Sequence, residues 1–185
     1  MQNLIQALLE YSTSNNKANP PVKKVDLAQL FDQVASDLEG TAQLKKVSLE
    51  RGELPVLKVV PEQFRQLFSN LISNGIKYSR EGDEPSYVKV WAEEEEVDGV
   101  RYIKLFFKDN GIGFDQKYES KIFELFQRLH GKLEYSGTGI GLAICKKIAG
   151  IHKGTIRAEG AVGVGTTFIV MIPDNLKNSK ADRSD

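Results

Sequence analysis

The segment from Pro61 to Tyr78 constrains the fold more than any other part of the sequence, because it carries two stripes of residues at helical spacing. The first stripe is apolar and predicts the buried face of an amphipathic helix. It consists of Phe64, Leu67, Phe68, Leu71, Ile72 and Ile76. The second stripe is polar, lies beside the first and consists of Gln66, Asn70, Asn74 and Lys77.

The polar stripe favours ligand binding over helix stability. Asn is a mediocre helix former, and Gly75 costs about 1 kcal/mol relative to Ala inside a helix. Amide oxygens are hard, neutral ligands suited to Mg²⁺ beside phosphate oxygens, and the Lys77 amine supplies a charge for phosphate. Taken alone, the two asparagines favour an ordinary solvent-facing stripe, so the other motifs must decide.

The whole chain predicts one α/β domain. Its 185 residues, 41% of them hydrophobic, can bury one substantial core. A helix is expected from the N-cap Asp26, with Gln29 three positions later as in a capping box, and another over about 140–151. Strands are expected at 47–51, 57–59, 87–91, 102–107, 155–159 and 167–172, with 93–99 as a hairpin connection. This order predicts a two-layer α/β sandwich with a mixed, mostly antiparallel sheet and helices on one face.

Charge and cysteine content exclude several classes of protein. The 25 basic and 25 acidic side chains cancel, so nucleic acid and acidic membrane surfaces are not expected partners. The single Cys145 cannot form a disulfide within the chain, and one Cys with two His residues cannot build a metal site. No apolar run approaches the roughly 20 residues that cross a bilayer. We therefore expect a cytoplasmic location, with any membrane anchor outside this chain.

Three glycine-rich turns suit a nucleotide. The first, Asp109–Gly113, has the pattern D-x-G-x-G after a strand, where a carboxylate can accept a hydrogen bond from an adenine amine. The second, Gly137–Leu142, opens a helix whose backbone amides can hold phosphate. It is not a Rossmann turn, because Leu142 stands where Gly or Ala is required. The third, Gly163–Thr166, enters the last strand. The first and third turns, taken singly, are equally consistent with ordinary tight turns.

The segment Lys121–His130 lacks core periodicity and predicts a mobile lid. Phe123 and Phe126 are its expected hydrophobic anchors, and Arg128 can reach a phosphate. We expect His130 to be solvated and to have no chemical role.

Most of the polar stripe lies in the string Asn70-Leu71-Ile72-Ser73-Asn74-Gly75-Ile76-Lys77-Tyr78-Ser79. This string resembles the N box of sensor histidine kinases, N-L-x-x-N-A-x-K-Y-S/T, with Gly75 in place of Ala. The glycine turns resemble the three glycine boxes of that family, and the lid segment resembles its F box. All five motifs follow in family order over about 61–173, and the strings at 122–128 and 135–147 are similar to kinases of the phytochrome-associated type. The resemblance implies a catalytic ATP-binding domain with the Bergerat-type fold, which gyrases and heat-shock chaperones share.

The resemblance also implies roles for single residues, with ATP and Mg²⁺ as cofactors. Asn74 would bind Mg²⁺ with Asn70 assisting, while Lys77 and Arg128 would contact the phosphates. The adenine would lie beside Tyr78, with its amine on Asp109. The remaining implied nucleotide contacts are Gly111, Gly113, Gly137, Thr138, Gly139, Gly141, Leu142 and Thr166.

In this family the γ-phosphate passes to a His on a dimeric helical hairpin and then to an Asp of a response regulator. His130 and His152 are the chain's two histidines, and neither lies in the acceptor pattern H-E-x-x-x-P. The resemblance therefore implies an acceptor outside the chain and no catalytic residue within it. Residues 1–19 would be the end of the hairpin and a linker, 20–174 the catalytic domain and 175–185 a polar tail. The intact kinase would be a homodimer and the isolated domain a monomer.

Three alternatives stay open at this point. Related ATPases activate water with a Glu one turn before the metal-binding Asn, but Asn70 holds that position here and an amide is a poor base. We therefore expect negligible hydrolysis. A degenerate module that binds partners and no nucleotide is disfavoured by Asn74, Asp109 and the paired glycines. The anti-sigma-factor serine kinases share the fold but lack the F box and the hairpin remnant.

Overall fold

The computed structural model describes residues 20–80, 82, 85–127 and 138–174. Their centre is a five-stranded sheet, whose strands in spatial order are β2 (Val47–Arg51), β4 (Ser86–Val97), β5 (Val100–Asp109), β7 (Gly165–Pro173) and β6 (Thr155–Ala161). β2 runs parallel to β4, and the other neighbouring pairs are antiparallel. The predicted mixed, mostly antiparallel sheet is confirmed.

A second, two-stranded sheet was not predicted. It pairs β1 (Lys23–Asp26) with β3 (Val56–Val59) in antiparallel register. Of the two strands, only β3 showed enough alternation of apolar and polar residues to be recognised in the sequence. β1 is four residues long and half of it is exposed, so its pattern carries little signal.

The helices lie on one side of the main sheet, as predicted. They are α1 (Leu27–Leu44), α2 (Pro61–Lys77), the short α3 (Glu119–Ile122), which follows a 3₁₀ turn at Gln116–Tyr118, and α4 (Gly141–Ile151). α1 begins where the sequence predicts, because the Asp26 carboxylate accepts hydrogen bonds from the amides of Ala28 at 2.9 Å and Gln29 at 3.1 Å. In the described part of the chain, no helix is long and apolar enough to cross a membrane.

α2 is the central helix and packs against both α1 and α4. The six side chains of its predicted apolar stripe are 0% to 1% exposed. They meet the inner face of the sheet, where the rings of Phe68 and Phe107 make an edge contact with centroids 5.0 Å apart. This burial fixes the rotation of α2 about its axis, so the polar stripe has a defined position beside the core.

The predicted connection at 93–99 is wrong. β4 continues to Val97, and the turn consists of Asp98 and Gly99, which both have positive φ angles (51° and 76°). Such a two-residue turn matches the twist of a hairpin. Two acidic residues of β4 form ion pairs diagonally across the hairpin: Glu94 pairs with Arg101, and Glu95 lies 2.7 Å from Lys104.

His152 joins two helices through both nitrogens of its ring. Nε2 accepts a hydrogen bond from the Val60 amide at 3.1 Å, at the start of α2, and Nδ1 donates to the Ile148 carbonyl at 2.8 Å, in α4. The ring also makes an edge contact with Phe64, with centroids 4.9 Å apart. These two bonds require the neutral ring, and burial lowers the pKa of His152 below its usual 6.5.

We therefore expect His152 to make folding stability dependent on pH. The unfolded chain takes up a proton at about pH 6.5 whereas the folded chain resists it, so the stabilisation is complete above that pH and decreases as the pH falls below it. The difference in unfolding free energy between the wild type and His152→Phe, measured by urea denaturation, should be about 1–3 kcal/mol at neutral pH and should shrink in acid. A difference that stays constant with pH would show that the ring does not titrate in this way.

Candidate functional site

Two adjoining cavities lie where the end of α2 meets the turns that follow β5, precede α4 and precede β7. The first has a volume of about 90 Å³ and is lined by Asn74, Tyr78, Asp109, Ile112, Gly113, Phe114, Ile122, Gln127, Leu142, Thr166 and Phe168. The second has a volume of about 270 Å³ and is lined by Ser73, Asn74, Lys77, Tyr78, Ile122, Gln127, Thr138, Gly139, Gly141 and Leu142. Five residues line both cavities, so together they form one continuous site.

Asp109 is the charged group of the first cavity. It ends β5 and is 7% exposed, and this burial raises its pKa to about 6. Its Oδ1 atom accepts hydrogen bonds from the amides of Gly111 at 2.9 Å and Thr166 at 3.2 Å, which oppose the rise together with the charge of Arg80. Oδ2 accepts none from the residues that the structure describes, so it is the oxygen available to a ligand.

The remaining wall of the first cavity is largely apolar, and sequence reasoning missed this. Its apolar members are Ile112, Phe114, Ile122, Leu142 and Phe168. Of these, only Leu142 was among the predicted contacts. Ile112 and Phe114 alternate with the glycines of the D-x-G-x-G turn, but a motif defined by its glycines gives no signal for them. The arrangement suits a flat, mostly apolar ring that presents one hydrogen-bond donor to Asp109.

The second cavity is suited to an anion. The Lys77 amine lies there, 4.5 Å from the centre of the Tyr78 ring, and donates a hydrogen bond to the Tyr78 hydroxyl at 2.9 Å. α4 begins at the same cavity with Gly141, and no side chain caps its first amides. Free amides at a helix N-terminus attract negative charge. Lys77 and the start of α4 therefore face a common space.

Among the described residues, no three acidic, His or Cys side chains cluster to hold a metal ion. Asn74 lines both cavities and offers an amide oxygen at their junction. Asn70 lines neither cavity, and its Nδ2 atom donates to the Gly141 carbonyl at 3.2 Å. The two predicted metal-binding amides thus occupy different environments, and Asn70 ties α2 to the beginning of α4.

Of the predicted lid, the structure describes residues 121–127. Arg128, Gly137 and His130 lie outside the described residues. Phe123 is 6% exposed and meets the Phe168 ring, with centroids 6.3 Å apart. Phe126 is 47% exposed, contrary to its expected role as an anchor. The chain reverses at Phe126, whose φ is 64° and whose amide donates to the Gly139 carbonyl at 3.0 Å, and this reversal turns the side chain outward.

Gly111, Asn110 and Arg80 shape the site without lining either cavity, and the last two were not predicted. Gly111 packs against the Tyr78 carbonyl so closely that a Cβ atom would overlap it. The Asn110 side chain accepts from the Tyr87 amide at 2.9 Å and donates to the Pro85 carbonyl at 3.0 Å, which fixes the first turn to the start of β4. The Arg80 guanidinium bonds to the same turn.

The sequence matches a known family and several of its members. Residues 59–176 match the family described as histidine kinase-, DNA gyrase B-, and HSP90-like ATPase. The chain is 37% identical to phytochrome-like protein Cph1 of Synechocystis over 173 residues, which is 94% of this chain and 22% of that protein. It is 32% identical to the circadian input-output histidine kinase CikA of Synechococcus elongatus, over 92% of this chain and 23% of that protein. The chain therefore spans about a fifth of the length of these relatives.

Solved structures share the fold. Full-length ShkA in complex with AMPPNP superposes with a TM-score of 0.76 at 23% identity, covering 92% of this chain and 35% of that one. Histidine kinase ThkA in complex with the response regulator TrrA gives a TM-score of 0.69 at 21% identity, covering 94% of this chain and 47% of that one.

Gly75 lets α2 approach the sheet behind the site. A Cβ atom at this position would lie 2.5 Å from Cγ2 of Val88 and 3.4 Å from Cβ of Asp109. Gly75→Ala should therefore lower the free energy of unfolding by about 1 kcal/mol, since overpacking against the stiff Val88 outweighs the gain in helix propensity. Thermal and urea denaturation measure the change, and the effect should be smaller when Val88→Ala is already present.

Gly40 is the matched control for this substitution. It also lies inside a helix, but no atom lies within 4 Å of where its Cβ would be. Gly40→Ala should stabilise the protein by up to about 1 kcal/mol. If Gly75→Ala stabilised it equally, the close approach of α2 to Val88 would be refuted.

Proposed function

Since the chain belongs to the family of histidine kinase-, DNA gyrase B- and HSP90-like ATPases, we propose that it binds ATP in its two adjoining cavities and acts as the catalytic domain of a two-component sensor histidine kinase. The adenine occupies the apolar cavity, where Oδ2 of Asp109 accepts a hydrogen bond from its amine. The phosphates occupy the second cavity, against Lys77 and the amides at the start of α4. The resemblance implies that Arg128, which lies outside the described residues, would also contact the phosphates.

One observation carries this proposal: Asn74 and Asp109, which the sequence separates by a helix end and two strands, line the same cavity. Nucleotide binding needs a base pocket and a phosphate pocket in contact, with a metal ligand between them. Asn74 lies at that junction. A degenerate module would have no reason to keep a buried carboxylate facing a cavity, because the burial costs free energy.

The donor set fits Mg²⁺ held together with phosphate. Asn74 supplies a neutral, hard oxygen, and the described residues provide no acidic cluster that would hold the ion without a nucleotide. Asn74 would therefore bind Mg²⁺ directly. Asn70 would assist by fixing the start of α4 through its bond to Gly141. When bound, Mg²⁺ would neutralise charge on the phosphates.

The phosphoacceptor is proposed to lie outside the chain, on the dimeric hairpin. His152 is unsuitable, because backbone groups occupy both of its ring nitrogens. Residues 20–174 would form the catalytic domain, residues 1–19 the end of the hairpin and a linker, and 175–185 a tail. The likeness to ThkA, which was solved with a response regulator, supports a receiver domain as the next partner. The intact kinase would then be a homodimer.

ATP hydrolysis is the second candidate function and is less well supported. The side chain in the position of the water-activating Glu is Asn70, and its amide donates a hydrogen bond to Gly141. A donor already engaged with a carbonyl cannot remove a proton from water. The isolated chain should therefore retain ATP without appreciable turnover.

We expect ATP binding to depend on the protonation of Asp109. A carboxylate accepts a hydrogen bond from the adenine amine better than a carboxylic acid does, so affinity should decrease as the pH falls through about 6, approaching tenfold per pH unit below it. Calorimetric titrations across this range measure the effect. Asp109→Asn is the control, since protonation of ATP itself affects both proteins equally. It should bind more weakly, and the ratio of its affinity to that of the wild type should change with pH. A constant ratio would count against Asp109 as the base contact.

The kinase assignment is tested by supplying the missing acceptor. A separately produced helical hairpin from a related kinase, mixed with this chain and labelled ATP, should become labelled on its His, and Asn74→Ala should abolish the transfer. A hairpin that lacks the acceptor His is the control. A hairpin that stays unlabelled while calorimetry shows ATP bound would contradict the assignment. Phosphate release by the chain alone that is lost in Asn70→Ala would favour the hydrolase instead.

A further inference from the structure

We propose that Arg80 is a positioning residue for adenine recognition, which fixes the carboxylate of Asp109 by tying together the two turns that donate hydrogen bonds to it. The proposal rests on the ATP-binding function proposed above. Arg80 lies just beyond the N-box string and lines neither cavity, so it would act through other groups.

The Arg80 guanidinium spans two separate turns. Its Nε atom donates to the carbonyls of Asn110 at 2.9 Å and Gly111 at 3.1 Å, in the first glycine turn. Its Nη2 atom donates to the Val164 carbonyl at 3.3 Å, in the third glycine turn. The planar fork of an arginine can bond in both directions at once, whereas the single amine of a lysine cannot replace it.

The same two turns orient Asp109. The first turn supplies the Gly111 amide and the third supplies the Thr166 amide, and both donate to Oδ1 of the carboxylate. With Oδ1 held from both sides, Oδ2 is left to face the cavity. The distance between the turns therefore controls the direction in which Oδ2 points, and Arg80 bridges that distance.

The backbones of the turns are packed too closely to adjust independently. A Cβ atom on Gly113 would overlap the Ala161 carbonyl, and one on Gly165 would overlap the Asp109 carbonyl. The Ile112 amide also donates to the Tyr78 carbonyl at 2.9 Å, and the Gly163 amide donates to the Ile112 carbonyl at 2.8 Å. Because the end of α2 and both turns form one stack, a shift at Arg80 is passed on to Asp109.

Base selectivity gives a test that general destabilisation would not mimic. The probes are ATP and the purine ribonucleoside triphosphate that has hydrogen in place of the 6-amino group. The wild type should prefer ATP by about tenfold or more, because the analogue leaves Oδ2 without its donor. Arg80→Gln should reduce this preference by about three- to tenfold, chiefly by weakening ATP binding. Arg80→Lys keeps the charge but loses the fork, and should reduce the preference as well.

Arg65 provides the matched control. It lies on α2, is exposed, and donates to Gln33 and Asp37 of α1, away from the site. Arg65→Gln should keep the wild-type preference even if it lowers the melting temperature. Asp109→Asn gives the reference for lost selectivity.

The outcomes separate this proposal from the proposed function. If the wild type binds neither nucleotide, the ATP-binding function fails. If the wild type prefers ATP and Arg80→Gln keeps that preference, or loses affinity for both nucleotides equally, the positioning role is overturned while the function stands. If Arg80→Gln does not fold, Arg80→Lys decides: an unchanged preference overturns the role, and a reduced preference supports it.

Discussion

The packing of α2 against the sheet is the constraint on which the rest of the structure depends. Its apolar stripe is buried almost completely, so the helix can neither rotate nor shift without exposing large side chains. The orientation of the polar stripe is therefore fixed as well, and Asn74 and Lys77 are held at the edge of the core where the cavities open. Gly75 sets how closely α2 approaches β4, and His152 fixes the beginning of α2 to α4.

The burial of the Asp109 carboxylate costs free energy. Asp109 loses most of its hydration, which raises its pKa to about 6, and the two amides on Oδ1 with the nearby charge of Arg80 oppose this rise only in part. A ligand that donates a hydrogen bond to Oδ2 would relieve the remaining cost, whereas a ligand without a donor would not. Under the proposed function, the energetic penalty of burial thus becomes selectivity for adenine.

The sequence predicted those features that depend on local chemistry. The stripes of α2, the N-cap at Asp26 and the positions of the main strands along the chain follow from periodicity and capping, and the structure confirms them. Contacts between distant segments were not predictable. The strand at Glu93–Glu96 pairs with β5 across the hairpin, and the outward-facing Phe126 bonds through its amide to Gly139. Arg80 and the apolar wall at Phe168 likewise acquire their roles only when the turns meet in space.

The described residues of the site suit its proposed place in a phosphorelay. Phosphoryl transfer needs positioning and charge stabilisation more than covalent chemistry, so a domain can hold ATP ready without a reactive group of its own. Asn70 stands where a hydrolase would place its base, and its amide donates a hydrogen bond to the Gly141 carbonyl at the proposed phosphate end of the site. Water then has no activating group at that position. Under the proposed function, a docked hairpin would bring the nucleophile, and the timing of transfer would then depend on docking rather than on the presence of ATP.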